Sequence, residues 1–224
     1  MRFMFLVLAA LAVARAEFPQ SDEALVYSVN WPSGLNLGEA QIQAKKVQDR
    51  WDLRLTLDAS IPGFSVADRY HSLATSDLCS VEFEKDTTRG KKVSGELTTF
   101  NQAAGTATRQ TKGGGGKSEL QIPSCAKDAL AYLYFARREL MQGRLPAAQT
   151  VFMGGAYRLH LEYGGRQKLK VGDQMVDVAR ITVSAKGQAS DISFEIFLSQ
   201  DPARRPVLIR VPLPLGSFSM ELVP

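Results

Sequence analysis

The sequence predicts a mainly β protein in which an antiparallel meander forms a curved sheet or a barrel-like fold, with one α-helix packed on it. Three observations lead to this prediction. Apolar and polar residues alternate along most of the chain, turn-forming residues interrupt the alternation at short intervals, and one segment alone repeats its apolar residues at spacings of three and four. A parallel α/β fold is disfavoured, because it would need a helix between successive strands.

Strands are predicted wherever apolar residues occupy every second position, because successive side chains of a strand point to opposite faces of the sheet. Between Trp51 and Asp58, the odd positions hold Trp and three Leu, whereas the even positions hold Asp, Arg, Thr and Asp. Such a strand buries one face and exposes the other. Strands of this kind are predicted at residues 25–31, 51–57, 157–163, 192–198, 207–213 and 218–222.

Glycine and proline separate these strands at short, regular intervals. Successive turns without long crossovers indicate hairpins that follow one another along the chain. The turn signals are Pro32-Ser33-Gly34, Pro62-Gly63, Arg89-Gly90, Gly113 to Gly116, Gly154-Gly155, Gly164-Gly165, Gly172-Asp173 and Gly187.

One helix is predicted, from about Ala126 to about Met141. Ser124 is the expected N-cap, and Gly143 followed by Pro146 is expected to end the helix. The apolar side chains form a stripe that should pack on the sheet or close an open end of a barrel. The face opposite the stripe is expected to carry Lys127, Asp128, Arg138 and Glu139.

The first sixteen residues predict a secretory signal peptide. Arg2 supplies a positive charge, the segment from Phe3 to Val13 is apolar, and Ala14-Arg15-Ala16 has the small residues of a cleavage site. We expect cleavage after Ala16, which leaves residues 17–224 as a single β-rich domain outside the cytoplasm. No later apolar segment approaches the roughly 20 residues of a transmembrane helix, so no transmembrane span is expected.

The formal net charge of the chain is +4, with basic and acidic residues interspersed. Two of the positive charges, Arg2 and Arg15, belong to the predicted signal peptide. The remaining charge is too balanced for a nucleic-acid-binding surface. The basic cluster at Arg89, Lys91 and Lys92 is interpreted as a solvated hairpin turn. We therefore expect no nucleic acid partner.

Cys79 and Cys125 are the two cysteines of the chain. In an exported protein, an even pair predicts a disulfide. It would close a loop of about 47 residues and stabilise the fold by roughly 4 kcal/mol in the chain-entropy model. Two buried free thiols are the alternative. A metal pair is disfavoured because no histidine lies near either cysteine in the sequence.

Residues 113–118 have the sequence Gly-Gly-Gly-Gly-Lys-Ser, which resembles the end of a phosphate-binding loop. That motif requires a glycine at position 111, where this chain has Thr111, and a helix after it. Residues 119–122 instead predict a strand that ends at Pro123. We interpret the glycines as a hairpin tip and expect no nucleotide or other cofactor.

Asp68, His71 and Ser72 are the residue types of a hydrolytic triad. They lie within one predicted strand, where adjacent side chains point to opposite faces, whereas catalytic triads draw their members from distant segments. The sequence therefore assigns no catalytic residue. It assigns no metal ligand either.

Four arginines are the best candidates for binding an anionic group. Arg137 and Arg138 lie on the predicted helix, and Arg204 and Arg205 follow Asp201-Pro202. The alternative is that these arginines form structural ion pairs with nearby carboxylates.

Several short segments occur in a recognisable order. They are residues 25–31 followed by Gly34 and Gly38, Asp68-Arg69-Tyr70, Phe100, Lys127-Asp128-Ala129-Leu130 with Tyr134 and Arg137, residues 143–146, residues 201–206 and residues 216–222. Together they resemble an exported bacterial family named domain of unknown function 3108, over nearly the whole mature chain. The resemblance implies a Gram-negative envelope protein, located in the periplasm, with an antiparallel β fold. It implies no activity, cofactor or catalytic residue.

The sequence therefore favours a non-enzymatic periplasmic protein that binds, carries or holds a lipid, a glycan or a protein of the cell envelope. A curved antiparallel sheet can enclose an apolar cavity, which is the basis of this hypothesis. Phe197 and Leu208, two apolar residues on otherwise polar strand faces, are candidates for contacting such a ligand. The alternative hypothesis is a hydrolase that acts on an envelope polymer.

Overall fold

In the computed structural model of the chain, the described residues are 18–19, 22–61, 63–188, 190–213 and 216–224. The predicted signal peptide lies outside them. Fifteen strands and one helix are present in this part of the chain. The strands are β1 (Glu23–Asn30), β2 (Asn36–Val47), β3 (Arg50–Ile61), β4 (Phe64–Thr75), β5 (Ser80–Arg89), β6 (Lys92–Asn101), β7 (Thr106–Thr111), β8 (Lys117–Gln121), β9 (Lys127–Asp128), β10 (Gln149–Phe152), β11 (Ala156–Val171), β12 (Gln174–Gly187), β13 (Asp191–Ser199), β14 (Pro206–Leu213) and β15 (Gly216–Leu222), and the helix α1 is Ala129–Met141.

All fifteen strands belong to one sheet with the order β8-β7-β6-β5-β4-β3-β2-β1-β15-β14-β13-β12-β11-β10-β9. Each half of the sheet is a meander, and the two halves meet where β1 pairs with β15, with Tyr27 opposite Leu222. Neighbouring strands are antiparallel except β9 and β10, which are parallel. The structure thus confirms the predicted fold class, a mainly β chain that forms a curved antiparallel meander with one helix.

The sheet curls so that its last strand, β9, lies beside β5. The backbone N–H of Ser80, at the start of β5, donates to the carbonyl of Ala126 beside β9, at 2.9 Å. The side-chain amide of Gln102 donates to the carbonyls of both Ser80 and Ala126, at 2.7 and 3.0 Å. We call this junction the seam. Because β6, β7 and β8 lie beyond β5 in the strand order, they extend past the seam and the sheet remains an open curl.

The helix α1 lies inside the curl and contributes side chains to the cores of both halves. Leu130, Ala131 and Tyr134 pack with the buried residues of β1, β2 and β3. Tyr132 and Ala136 pack with those of β10, β11 and β12. The apolar stripe predicted for the helix is thus buried between the two halves of the sheet.

The predicted start of the helix is wrong by three residues, and the predicted cap is also wrong. Lys127 and Asp128 form β9, opposite Val151 and Phe152 of β10. Asp128 is the N-cap: its carboxylate accepts hydrogen bonds from the backbone N–H groups of residues 130 and 131 at 2.8 and 3.0 Å. Pairing with β10 gives this segment partners for its backbone that a longer helix would have to replace.

Lys127 and Asp128 are also buried rather than exposed as predicted. The Lys127 ammonium donates to the carbonyl of Cys125 at 2.9 Å and lies 4.4 Å from the ring centre of Phe135. Burial holds the pKa of Lys127 below its ordinary value.

The end of the helix is confirmed at Met141. Gly143 follows with φ +74°, a left-handed conformation that favours glycine. Its N–H donates to the carbonyl of Leu140, and the N–H of Arg144 donates to that of Glu139 at 2.9 Å. These two bonds form a Schellman motif and satisfy the last carbonyls of the helix.

The glycine pair Gly164-Gly165 forms a bulge inside β11, not the predicted turn. The pairing of β11 with β12 shifts register between Tyr163 and Arg166, and Gly165 has φ +97°. The strand therefore continues to Val171, and the far end of the β11–β12 hairpin packs on the outer face of the sheet. Its Leu169, Val171 and Val176 contact a cluster of Val178, Phe197, Val207 and Leu208, so Phe197 and Leu208 pack against this hairpin.

A disulfide joins Cys79 and Cys125, with the two Cα atoms 4.6 Å apart. Cys79 immediately precedes β5, and Cys125 lies two residues before β9. The bond therefore spans the seam, beside the hydrogen bonds that close it.

Removal of this disulfide is expected to destabilise the protein substantially. In Cys79→Ala/Cys125→Ala, the free energy of unfolding should fall by at most about 4 kcal/mol, the chain-entropy value for releasing a loop of 46 positions in the unfolded chain. Urea denaturation of the variant and the wild type measures the change, and the intact mass before and after reduction reports the bond itself. Equal unfolding midpoints for oxidised protein, reduced protein and variant would contradict this expectation.

Candidate functional site

An apolar cavity of about 180 Å³ lies between α1 and the concave face of the sheet. Its wall combines one face of the helix with inward side chains of β2, β3 and β11 to β14. The lining residues are Ile42, Leu55, Ala129, Leu130, Tyr132, Leu133, Ala136, Arg137, Leu140, Met153, Leu159, Leu161, Ile181, Val183, Phe194, Ile196, Leu198 and Ile209.

Strand alternation builds the wall of this cavity. Register places Leu161 opposite Val183, and Val183 opposite Phe194, so branched and aromatic side chains form rows across three strands. On the helix, Ala129 and Ala136 are seven residues apart, about two turns, and therefore share a face. Small alanine side chains facing large apolar ones leave the space that becomes the cavity.

Two polar side chains contribute to the otherwise apolar lining. The hydroxyl of Tyr132 is buried and has no hydrogen-bond partner within the described part of the chain. Burial raises the pKa of Tyr132 to about 12, so the group stays neutral at physiological pH. The second polar side chain, Arg137, is directed away from solvent and is 0% exposed.

The Arg137 guanidinium connects three parts of the fold. It donates to both carboxylate oxygens of Glu23 on β1, at 2.7 and 2.8 Å. It also donates to the carbonyls of Ala203 and Arg204, at 2.8 and 3.0 Å, and lies 4.7 Å from the ring centre of Tyr134. This bidentate pair fixes the helix against β1 and against the turn before β14.

A second space of about 320 Å³, which we call the mouth, adjoins the apolar cavity. The side chains of Leu140 and Leu198 line both spaces. The other residues of the mouth come from the end of the helix, the β11 bulge and the β13–β14 turn. They are Gly143, Arg144, Leu145, Tyr163, Arg166, Ala179, Gln200 and Arg204.

The mouth is positively charged and partly apolar. Arg144, Arg166 and Arg204 line it, and no carboxylate is among its lining residues. Leu145 and Tyr163 are 42% and 52% exposed, which is high for side chains of this size. An amphiphilic surface of this kind suits a ligand with an apolar part and an anionic part.

Arg204 has a left-handed backbone, with φ +47°. Asp201 holds this conformation, because its carboxylate accepts from the N–H groups of Ala203 and Arg204 at 2.8 and 3.2 Å. The guanidinium donates to the side-chain oxygen of Gln200 at 3.0 Å. The Arg204 Nε and the Gln200 Nε2 are both buried and have no acceptor within the described residues.

A buried polar cluster lies at the seam, around Asp128. Ser72 and Ser80 donate to its Oδ2 at 2.6 and 2.5 Å, and the helix N-terminus donates to its Oδ1. Burial raises the pKa of the Asp128 carboxyl above its ordinary value, and the four hydrogen bonds oppose that shift. Because every carboxylate contact is made within the fold, the cluster is structural.

Among the four arginines predicted to bind an anion, only Arg204 lines the mouth. Arg137 is held by Glu23, and the Arg138 guanidinium lies 5.6 Å from the ring centre of Phe135. Arg205 is exposed, and its backbone N–H donates to the Ser199 hydroxyl. The binding role of Arg137, Arg138 and Arg205 stays a prediction.

The structure does not bring Asp68, His71 and Ser72 together as a triad. Asp68 is buried and pairs with Arg89 at 2.8 Å, and Ser72 donates to Asp128. His71 lies on the opposite face of β4, with its Nε2 3.1 Å from Asp52. These contacts fit the period of the strand, as expected from the sequence.

Among the residues that line the mouth, the sequence predicts a binding role for Arg204 alone, and the polar side chains of Arg144, Arg166 and Gln200 are among those it misses. Arg144 follows the helix, and Arg166 follows the glycine pair that was assigned to a turn. Only the bulge and the Schellman motif bring these segments together, and the sequence shows neither their proximity nor the cavity.

Comparison with solved structures supports the fold. A beta-barrel-like protein of domain of unknown function DUF1849 from Brucella abortus has a TM-score of 0.64 and 11% sequence identity, over 89% of this chain and 94% of its own. A putative lipoprotein from Parabacteroides distasonis aligns over 90% of this chain and 93% of its own at 7% identity, but its TM-score of 0.34 is too low to support an argument. The curated proteins contain no match.

The described residues contain no helix that is both long and apolar enough to cross a membrane. The model of the family described as "Protein of unknown function (DUF3108)" matches residues 26–223, nearly the whole chain. These residues include every segment on which the predicted resemblance rests except the first residue of the 25–31 strand. The chain therefore belongs to the DUF3108 family.

Proposed function

We propose that this protein is exported to the cell envelope, where it binds a single alkyl chain of an envelope lipid in the cavity between α1 and the sheet. The observation that carries the proposal is the cavity itself, with its apolar wall and its open mouth. A fully packed interior would leave a carrier no place for its ligand.

The size and chemistry of the cavity favour a lipid over a glycan. Pockets for drug-sized ligands measure about 300–1,000 Å³, so a cavity of about 180 Å³ suits a slender chain rather than a ring system. Sugar hydroxyls buried against leucine and isoleucine would lose their hydrogen bonds to water without replacement. Apolar cavities of this kind stay dry and accept apolar ligands.

The residues that line the cavity do not favour the alternative hypothesis of a hydrolase. Hydrolysis requires a general base beside the scissile bond, and usually a nucleophile. The wall of the cavity contains no carboxylate, histidine, serine or cysteine. The cavity therefore supports binding, and we propose a carrier rather than an enzyme.

Export is part of the proposal. Residues 1–16 have the charge, apolar segment and cleavage site of a secretory signal, and a disulfide is compatible with an oxidising compartment. For a Gram-negative bacterium, these features support a periplasmic location.

Filling the cavity tests the binding function. Isothermal titration calorimetry with dodecanol, an uncharged single chain, measures binding to the mature protein. We expect the wild type to bind dodecanol, and Ala136→Phe to weaken dodecanol binding by at least about tenfold, because the new ring occupies the cavity. Val183→Phe, on the opposite wall, should have the same effect.

Ala156→Phe is the matched control, since Ala156 is exposed at the start of β11, outside the cavity. It should bind dodecanol like the wild type. Thermal denaturation of all variants checks folding, and filling an existing cavity should not lower the melting temperature. Absence of dodecanol binding by the wild type, or unchanged binding by both filled variants, would overturn the proposal.

A further inference from the structure

We infer that the ligand is an anionic single-chain amphiphile, and that its carboxylate or phosphate binds in the mouth to Arg166, Arg204 and Gln200. This inference rests on the proposed function, because the alkyl chain must occupy the apolar cavity for the headgroup to reach the mouth. Three independent features of the mouth support it.

The first feature is charge. Three arginines line the mouth without any carboxylate among the lining residues, and only Arg144 is neutralised, by Glu139 at 2.8 Å. Arg166 forms no side-chain hydrogen bond or ion pair within the described residues. Its guanidinium is exposed and free to pair with an anion that enters from solvent.

The second feature is a pair of donors without acceptors. Arg204 Nε and Gln200 Nε2 are buried, and neither has a hydrogen-bond acceptor in the part of the chain that the structure describes. Leaving buried donors unpaired is unfavourable, and native proteins rarely do so without a functional reason. A carboxylate or phosphate has enough lone pairs to accept from both donors at once.

The backbone of Arg204 supports the same conclusion. A left-handed conformation is unfavourable for a residue with a side chain, and Asp201 maintains it through two hydrogen bonds. Strained backbone of this kind is common at ligand sites, where it fixes the direction of a binding group. Here the strained residue is the one that carries an unpaired donor.

The third feature is the proximity of the two spaces. Leu140 and Leu198 line both the cavity and the mouth, and the exposed side chains of Leu145 and Tyr163 extend the apolar surface outward. A chain that extends from the cavity past Leu140 and Leu198 would place its headgroup beside the arginines of the mouth. A cationic headgroup at this place would be repelled, and an uncharged one would leave the donors poorly paired.

The experiment compares ligands that share one chain and differ in headgroup: dodecanoate, dodecyl phosphate, dodecanol and dodecyltrimethylammonium. Isothermal titration calorimetry measures the affinity of each ligand for the mature protein, below its critical micelle concentration. We expect both anions to bind about tenfold tighter than dodecanol, because charge-assisted hydrogen bonds add to the burial of the chain. The cation should bind more weakly than dodecanol.

Arg166→Gln is expected to remove most of this preference for anions, which is measured as the ratio of the dodecanoate and dodecanol affinities. The control is Arg158→Gln, which removes the same charge from an exposed position on the same strand, outside the mouth. Arg204→Gln should act like Arg166→Gln, and circular dichroism establishes that it folds. If Arg204→Gln does not fold, the test rests on the comparison of Arg166→Gln with Arg158→Gln in their preference for anionic ligands.

The outcomes separate this inference from the proposed function. If dodecanol binds but the anions bind no tighter, or if Arg166→Gln and Arg158→Gln behave alike, the headgroup site is wrong and the chain-binding function stands. If no ligand of the series binds to the mature protein, both are wrong. A preference for dodecanoate over dodecyl phosphate, or the reverse, identifies the headgroup as a carboxylate or a phosphate.

Discussion

Asp128→Ala is expected to lower the free energy of unfolding by about 5 kcal/mol. The side chain caps α1 and accepts from Ser72 and Ser80 at a position that is 0% exposed. Its removal leaves two helix N–H groups and two buried hydroxyls without their acceptor. Urea denaturation, followed by the fluorescence of the buried Trp51, measures the loss.

Two further variants make this result specific to the seam. Asp173→Ala removes a fully exposed carboxylate in a turn and should change the stability by no more than about 0.5 kcal/mol. Asp128→Asn keeps one oxygen for the helix N-terminus and places an amide beside the serines, so it should be less harmful than alanine. A loss below about 1 kcal/mol for Asp128→Ala would show that the cluster rearranges or admits water.

The second large effect is expected at the ion pair between helix and sheet. Glu23→Ala should destabilise the protein by about 4 kcal/mol, because it leaves the fully buried guanidinium of Arg137 without a counter-charge. The same substitution also removes the acceptor of the Tyr134 hydroxyl, which lies 3.0 Å from Glu23. The free energy of unfolding in urea is again the measurement.

The control is the exposed pair of Lys168 and Asp177, whose side chains are both 65% exposed. Asp177→Ala should cost less than about 1 kcal/mol, as surface ion pairs generally do. In the double variant Glu23→Leu/Arg137→Met, the unpaired charge disappears, and part of the stability should return. If Glu23→Ala proves no more harmful than Asp177→Ala, the buried pair contributes little to the fold.

Most of the sheet could be predicted from the sequence, because each strand carries its own alternation. The errors occur where distant segments decide the local structure. Lys127 and Asp128 continue a helical pattern, yet they pair with β10, which lies more than twenty residues further along the chain. Gly164-Gly165 has the composition of a turn, but β12 continues beside it and makes it a bulge. The pairing strands, β10 and β12, cannot be identified from the residues adjacent to these segments in the sequence.

The candidate site is less predictable than the fold, because it belongs to the space between elements. Arg204 was a candidate from its position after Asp201-Pro202, whereas Arg166 was not, since its neighbours in the mouth come from α1 and β13. The alternation of Leu159, Leu161 and Val183 predicts burial equally well for a packed interior and for a cavity. Only the packing of the helix against these residues distinguishes the two.

The pairing of β1 with β15 has a consequence for the order in which the protein can fold. Ser28 and Glu221 are hydrogen-bonded neighbours although 193 positions separate them in the chain. Within each half, in contrast, neighbouring strands follow one another directly, so their contacts are local and form at a small entropic cost. We therefore expect the two halves to form first as separate meanders, and the joining of β1 to β15 to be the slowest step in completing the sheet.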